Sequence, residues 1–248
     1  MISTRIVKSA PALIMEAEKK YLIVTDLHIG FETRIVQNDI HVDPREIIEE
    51  TVCELEELIR SQNPDTLLLL GDVKSSIDAV SKIEWQAVPL FFEIGKKIET
   101  MVIPGNHDGN LQRLVPEWVS MSSSSGLVIG DVLLTHGHVM PSENLADVNK
   151  IIMGHVHPVF FQEGSVLDGQ RVWISIKAKK REIFPSSHGE LDIIIVPSFN
   201  RYFYAAYKRS HKRSISPIIE AIKKPLSAKI TTLDGSIIGN ETMLQTVL

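Results

Sequence analysis

Five times along the chain a short run of apolar, β-forming residues stops at an Asp, His or Asn, and that recurrence constrains the fold more than any other feature. Tyr21-Leu22-Ile23-Val24-Thr25 delivers Asp26-Leu27-His28, and residues 66–70 deliver Gly71-Asp72. The run over 100–104 ends at Gly105-Asn106-His107-Asp108, Val132-Leu133-Leu134 ends at Thr135-His136-Gly137-His138, and Lys150–Met153 ends at Gly154-His155-Val156-His157-Pro158. Runs apolar on both faces of the pleat are the pattern of central strands covered on each side. Polar groups at the C-terminal edge of such a sheet stand where open α/β folds bind ligands. Each motif alone also fits a capped turn; five in succession make that reading a poor one.

The intervening sequence supplies the rest of an α/β pattern. Asp43-Pro44-Arg45-Glu46 reads as a helix start, with an N-cap carboxylate, proline at the first helical position and an acid in the first turn. Ile47, Ile48, Val52, Leu55, Leu58 and Ile59 then recur at helical spacing up to Asn63-Pro64. Strand, helix, strand predicts a right-handed parallel crossover. Residues 75–97 are helical in character, and Pro89 predicts either a kink or a fresh helix starting near Ala87. Segments 127–129 and 132–134 flank Gly130-Asp131, which predicts two short strands with a tight connection. Further strands are expected over 171–177, 191–197 and 227–238. The sum is one domain over residues 1–248, with the polar motifs in 21–158 and a C-terminal part, 171–248, completing a second sheet.

Composition bounds the setting. A chain of 248 residues with 44% hydrophobic content can build a sizeable core. No window approaches the roughly 18 uninterrupted apolar residues of a membrane span. Residues 10–15 are too short for a signal-peptide core before Glu16 interrupts them. The expectation is a cytoplasmic protein with no membrane partner. The single cysteine, Cys53, excludes an internal disulfide, and its place in an amphipathic run predicts a small buried residue. Charge is uneven: residues 171–230 hold 13 Lys and Arg against 4 Asp and Glu, while residues 1–170 hold 13 against 25. That asymmetry fits an anionic partner on the C-terminal lobe, or a solvated basic face. Its densest runs, Lys177-Ala178-Lys179-Lys180-Arg181 and Lys208-Arg209-Ser210-His211-Lys212-Arg213, could flank a cleft and track a DNA or RNA backbone.

The motif residues define the chemistry. Asp26, His28, Asp72, Asn106, His136, His155 and His157 offer oxygen and imidazole donors without a thiolate, a set that suits manganese, iron or zinc better than calcium or magnesium. Seven donors are too many for one ion, whereas two ions about 3.5–4 Å apart sharing a carboxylate fit the count. In an extended strand end Asp26 and His28 would point the same way while Leu27 returns to the core. His138, His41, His188 and His211 fall outside this set. Arg34 and Lys74 follow motif blocks closely and are candidates for phosphate contact, or ordinary solvated cations.

In order and kind, these blocks resemble the calcineurin-like metallophosphoesterase superfamily across residues 21–158. The resemblance implies a four-layer αββα sandwich of two mixed sheets flanked by helices. It implies one metal on Asp26, His28, Asp72 and His157 and a second on Asp72, Asn106, His136 and His155, with Asp72 bridging. His107 would be the non-ligand histidine that serves the leaving group, and Asp108 its orienting partner. Two divalent ions are implied, manganese first, with iron, zinc or nickel as alternatives, and a hydroxide bridging them would attack a phosphodiester, with DNA or RNA among the substrates. Asp26-Leu27-His28-Ile29-Gly30 followed by Phe31 and Arg34, then Trp85 and Val196-Pro197-Ser198-Phe199, resemble PdeM-like, ligase-associated phosphodiesterases and their archaeal relatives. Hydrolysis of a nucleotide or lipid pyrophosphate would use the same core, although lipid-linked pyrophosphatases of the superfamily carry Arg where His107 stands. A non-catalytic scaffold is the remaining alternative, and the full ligand set argues against it.

Overall fold

Residues 67–70, four leucines in succession, show how the sequence builds this protein: Leu67 and Leu69 face one core and Leu68 and Leu70 another, all essentially inaccessible. A strand that buries both faces must lie between two packed layers. The computed structural model describes residues 2–31, 44–77, 79–94, 96, 98–202 and 216–248. Among them one sheet runs β1 (Ser3–Ile6), β2 (Leu13–Glu16), β3 (Lys20–Val24), β4 (Thr66–Leu69), β5 (Glu99–Val102) and β6 (Ser120–Met121), in that order across the sheet. β1, β2 and β3 are antiparallel neighbours, and β3 to β6 are parallel. Val24 pairs with Leu69 and Leu69 with Val102, so three motif-bearing strands finish level at one edge.

The second sheet comprises β7 (Leu127–Ile129), β8 (Val132–Thr135), β9 (Lys150–Met153), β11 (Gln170–Lys179), β12 (Glu190–Ile195), β13 (Ser227–Thr232) and β14 (Ile237–Asn240), with β10 (Val159–Phe160) paired to β11. Its order is β14-β13-β11-β12-β9-β8-β7. Here too the parallel strands are level, Thr135 pairing with Met153 and Met153 with Ile195. Leu13, Met15, Ile23, Leu68, Leu70, Val132, Leu134, Ile152 and Trp173 fill the space between the sheets. Helices α1 (Pro44–Gln62) and α2 (Lys82–Ile94) cover the outer face of the first sheet through Ile48, Leu55, Leu58, Val88, Phe91 and Phe92. Short α3 (Pro217–Ala221) and 3₁₀ turns at Lys180–Glu182 and Glu241–Thr246 cover the second through Ile218, Ile183, Phe184 and Leu244. The two mixed sheets with flanking helices are the expected αββα layering.

Several expectations need correction. Among the described residues of 75–97 the α-helix is α2, which starts at Lys82 and continues through Pro89 without a new start at Ala87. Its beginning is a capping box: Ser81 N–H donates to Glu84 Oε2 at 2.7 Å, and Glu84 N–H approaches Ser81 Oγ at 3.3 Å. The span 227–238 is two strands, because Gly235 at φ +99° turns the chain. Cys53 is exposed, since the periodicity that buries Leu55 and Leu58 turns it outward. Residues 177–181 do not flank the motif edge. β11 is antiparallel to β12, so its C-terminal end lies at the far end of the sandwich. There Lys177 pairs with Glu190 at 2.8 Å, and Lys180 is buried with its ammonium 3.2 Å from Asn149 Oδ1. Arg34, His41 and the run 208–213 lie outside the described residues. No described helix is long and apolar enough to cross a membrane.

The inter-sheet core gives a direct test of this packing. Ile152→Ala should destabilise the chain by about 2–5 kcal/mol. Val166→Ala, at a side chain 93% exposed, should stay within about 0.5 kcal/mol in chemical denaturation.

Candidate metal centre

The five strand ends converge, but not by the expected route. Asp26, His28, Asp72, His155 and His157 all adopt left-handed backbone, with φ of 57°, 45°, 52°, 68° and 48°. Asp26 and His28 therefore reach one point through two tight reversals rather than extended alternation, while Leu27 still enters the core. The reversals are tied across the sheet: Asp26 N–H donates to Gly71 O at 3.0 Å and His28 N–H to Asp72 O at 2.9 Å.

Two groups of donor atoms result, each within 4.8 Å: Asp26, His28, Asp72 and His157 in one, and Asp72, His136 and His155 in the other. Asp72 belongs to both. Each carboxylate is divided between the protein and the cleft. Asp26 Oδ2 has the Thr25 hydroxyl at 2.9 Å and the His155 N–H at 3.1 Å, while Oδ1 lies 2.8 Å from His157 Nε2. Asp72 Oδ1 accepts from His107 N–H at 2.8 Å, and Oδ2 stands 3.3 Å from His136 Nε2 and 3.7 Å from His28 Nε2. His136 Nδ1–H donates to Leu70 O at 2.6 Å, which fixes its tautomer and turns Nε2 toward Asp72. Among the described residues, His136 Nε2 and Asn106 Oδ1 are buried without a hydrogen bond. Buried polar atoms are seldom left unsatisfied, and His136 Nε2, which stands beside Asp72 Oδ2, fits a ligand to a divalent cation.

For two of the imidazoles the electrostatics agree. Burial lowers the His28 imidazole to about 3 and, helped by His136, the His155 imidazole to about 4, so both stand neutral and able to coordinate. Burial also opposes the His136 imidazolium, but the Asp72 carboxylate outweighs it and pushes the pKa up to about 9. Burial alone would raise Asp72, yet His136, His28 and His107 hold it well below the usual carboxylate range. Burial and then the Asp72 charge push Asp108 up to about 6.

His107 sits beside these groups, its Nε2 4.0 Å from Asp72 Oδ2 and its Nδ1 2.5 Å from Ser75 O. Asp108 does not touch that ring. Its carboxylate accepts from the Gly105, Val73 and Lys74 N–H groups at 2.8, 2.9 and 3.3 Å and so holds two motif turns together. Lys74 is fully buried, its ammonium donating to Ser76 O. His138 borders the second group, with its ring 5.3 Å from that of His136.

Three supports escaped the sequence reading. Ser198 Oγ donates to Asp26 O at 3.0 Å and Asn200 Nδ2 to Leu27 O at 2.9 Å, strapping the first motif from a segment more than 170 positions away. Arg171 Nη1 in turn donates to Ser198 O at 2.8 Å and Phe199 O at 2.7 Å. Glu84 Oε1 accepts from Ser75 and Ser76 N–H at 3.0 and 2.7 Å, below the carbonyl that orients His107. Ser198 lies in the block 196–199 that carries the resemblance, and Glu84 had a signal in the Ser-x-x-Glu spacing of Ser81 and Glu84; Asn200 and Arg171 had none.

The sequence matches the family described as calcineurin-like phosphoesterase over residues 19–207. The chain belongs to that family. No curated protein matches it. Among solved structures it is similar to the Pseudomonas putida nuclease MPE, with a TM-score of 0.53 at 16% identity over 95% of this chain and 100% of that one. It also matches Yfce, a phosphoesterase from E. coli, with a TM-score of 0.43 at 16% identity over 89% of this chain and 97% of that one. The first likeness is one of fold.

If Asp72 is shared, its loss should be felt in both groups. Asp72→Asn should leave less than one tightly held divalent ion per chain by elemental analysis, whereas His28→Ala should mainly weaken one of two. Two tightly held ions in Asp72→Asn would overturn the assignment.

Proposed function

We propose that this chain is a two-metal phosphodiesterase, a reading carried by one observation: a single buried carboxylate, Asp72, belongs to both donor groups while the Nε2 of a non-ligand histidine faces it. Asp26, His28, Asp72 and His157 would hold one divalent ion, and Asp72, Asn106, His136 and His155 the other. Manganese suits these oxygen and imidazole donors, with iron, zinc or nickel as alternatives. Two such ions, when bound, would lower the pKa of a coordinated water toward about 7 and neutralise charge on phosphoryl oxygens.

The chain's own residues supply the rest. Ser75 O fixes the proton of His107 on Nδ1, so Nε2 is the atom that meets the leaving oxygen, and a second proton there would be the one donated. His107 N–H, bonded to Asp72 Oδ1, ties the turn that carries the imidazole to the turn that carries the carboxylate. Asp108 serves that turn through backbone N–H groups and not by orienting the ring. The PdeM-like resemblance and the fold likeness to a nuclease support a nucleic-acid phosphodiester as substrate. Pyrophosphate hydrolysis ranks second, because it would not call for a leaving-group acid held so firmly.

Turnover of bis-p-nitrophenyl phosphate by metal-free protein reconstituted with Mn²⁺ tests the reading; its absence with every divalent ion tried would end it. His107→Ala should keep its metals. On diesters with a poor leaving group it should lose about 10²–10⁴ in rate, and markedly less with nitrophenolate. A parallel fall in metal content would make His107 a ligand instead.

A further inference from the structure

The end of the sandwich that carries the metal-ligand groups carries a second cleft. β1 has the sense of β3, β11 begins beyond the last residue of β12, and β13 finishes opposite the start of β11, so their loops all open at this end. A cleft of about 470 Å³ lies among them, with Ser9, Gln170, Arg171, Arg201, Thr232 and Asp234 in its lining. It is displaced from the metal-ligand strands toward the β1 and β13 side of the two sheets.

The lining of this cleft holds two guanidinium groups and one carboxylate. Arg171 is largely buried, spends Nη1 on the Ser198 and Phe199 carbonyls, and has no carboxylate at ion-pair distance among the described residues. Burial lowers its pKa to about 10 against the opposing pull of the Glu54 carboxylate. Arg201 gives Nη2 to Glu54 Oε2 at 2.6 Å. Asp234 accepts from the Thr232 hydroxyl and from Ser236 N–H, bonds that favour its ionised form. Of the two guanidinium groups, only Arg201 has a carboxylate at ion-pair distance among the described residues. A desolvated cation is costly unless something anionic completes it, and a guanidinium fork matches phosphate oxygens.

We propose that this cleft is a phosphate-binding subsite, taking a phosphate of a substrate that extends past the metal centre toward β1 and β13. The proposal rests on the phosphodiesterase reading and narrows it to substrates with a second phosphate, such as an oligonucleotide. It also gives Arg171 two roles, because the carbonyls it holds belong to the strap on Asp26 and Leu27. An anion bound there would tighten the same strap.

Calorimetric titration of the full chain, stripped of metal, separates the cleft from the chemistry. The probes are inorganic phosphate, a nucleoside 5′-monophosphate and a short phosphorothioate single strand. The single strand should bind in a saturable way. Arg201→Gln and Arg171→Gln should each weaken it about tenfold and reduce its log-log salt slope by about 0.7, the share of one cation on a single strand. Arg201, at the surface, keeps the test valid if Arg171→Gln fails to fold. Undiminished affinity in Arg201→Gln would overturn the proposal. Binding of phosphate and monophosphate without the single strand would equally overturn it, by making the cleft a site for small anions alone. Because no metal is present, these outcomes are independent of whether the reconstituted protein hydrolyses a diester.

Discussion

Left-handed backbone at five of the seven proposed ligands is the constraint on which the rest of the structure depends. A non-glycine residue in that region costs on the order of 1–2 kcal/mol, so five together approach the whole net stability of a domain. Such conformations persist only where the surroundings over-determine them. The surroundings here are the level ends of parallel strands, whose hydrogen bonds continue past β3 and β4 as Asp26 to Gly71, His28 to Asp72 and Ile29 to Val73. Close packing adds to this. A Cβ on Gly105 would fall 2.2 Å from Asp72 Oδ1, and one on Gly154 would fall 1.9 Å from Thr25 Oγ1. The glycines beside the ligands let neighbouring motif turns touch.

This arrangement divides labour between strands and turns. Buried strands such as β4 and β9 fix where each turn begins, and the turns convert that position into an aimed donor atom. Satisfied atoms point back into the protein, as Asp26 Oδ2, Asp72 Oδ1 and His136 Nδ1 do. The opposite atom of each group faces the centre. A site built so needs little side-chain reorganisation when a cation arrives, which is the usual route to strong electrostatic stabilisation of a reacting group.

Much of this was readable in the chain. The motif strands were legible because each joins a run buried on both faces to a polar end, and family membership rests on the same blocks. Ser3-Thr4-Arg5-Ile6 escaped because an edge strand with alternating partial exposure carries little apolar signal. The left-handed turns could not be read, since Asp and His do not announce positive φ as glycine does. Ser198, Asn200 and Arg171 act through backbone atoms far away in sequence, where spacing carries no information. Asp108 was placed beside His107 by resemblance, and its partners proved to be the N–H groups of two turns. The basic run 177–181 misled because charge density in sequence says nothing about which end of a strand it occupies.

The proposed donors are split between the layers. Asp26, His28, Asp72 and Asn106 stand on the first sheet, whereas His136, His155 and His157 stand on the second. Synthesis from the N-terminus therefore completes one half of the centre before any histidine of the other half exists, and the Ser198 to Asn200 strap arrives last of all. A cation that needs both halves cannot settle on the early one with full affinity. Held by both halves, it would act as a clasp across the seam, and loading of an unfinished chain would be disfavoured by geometry alone.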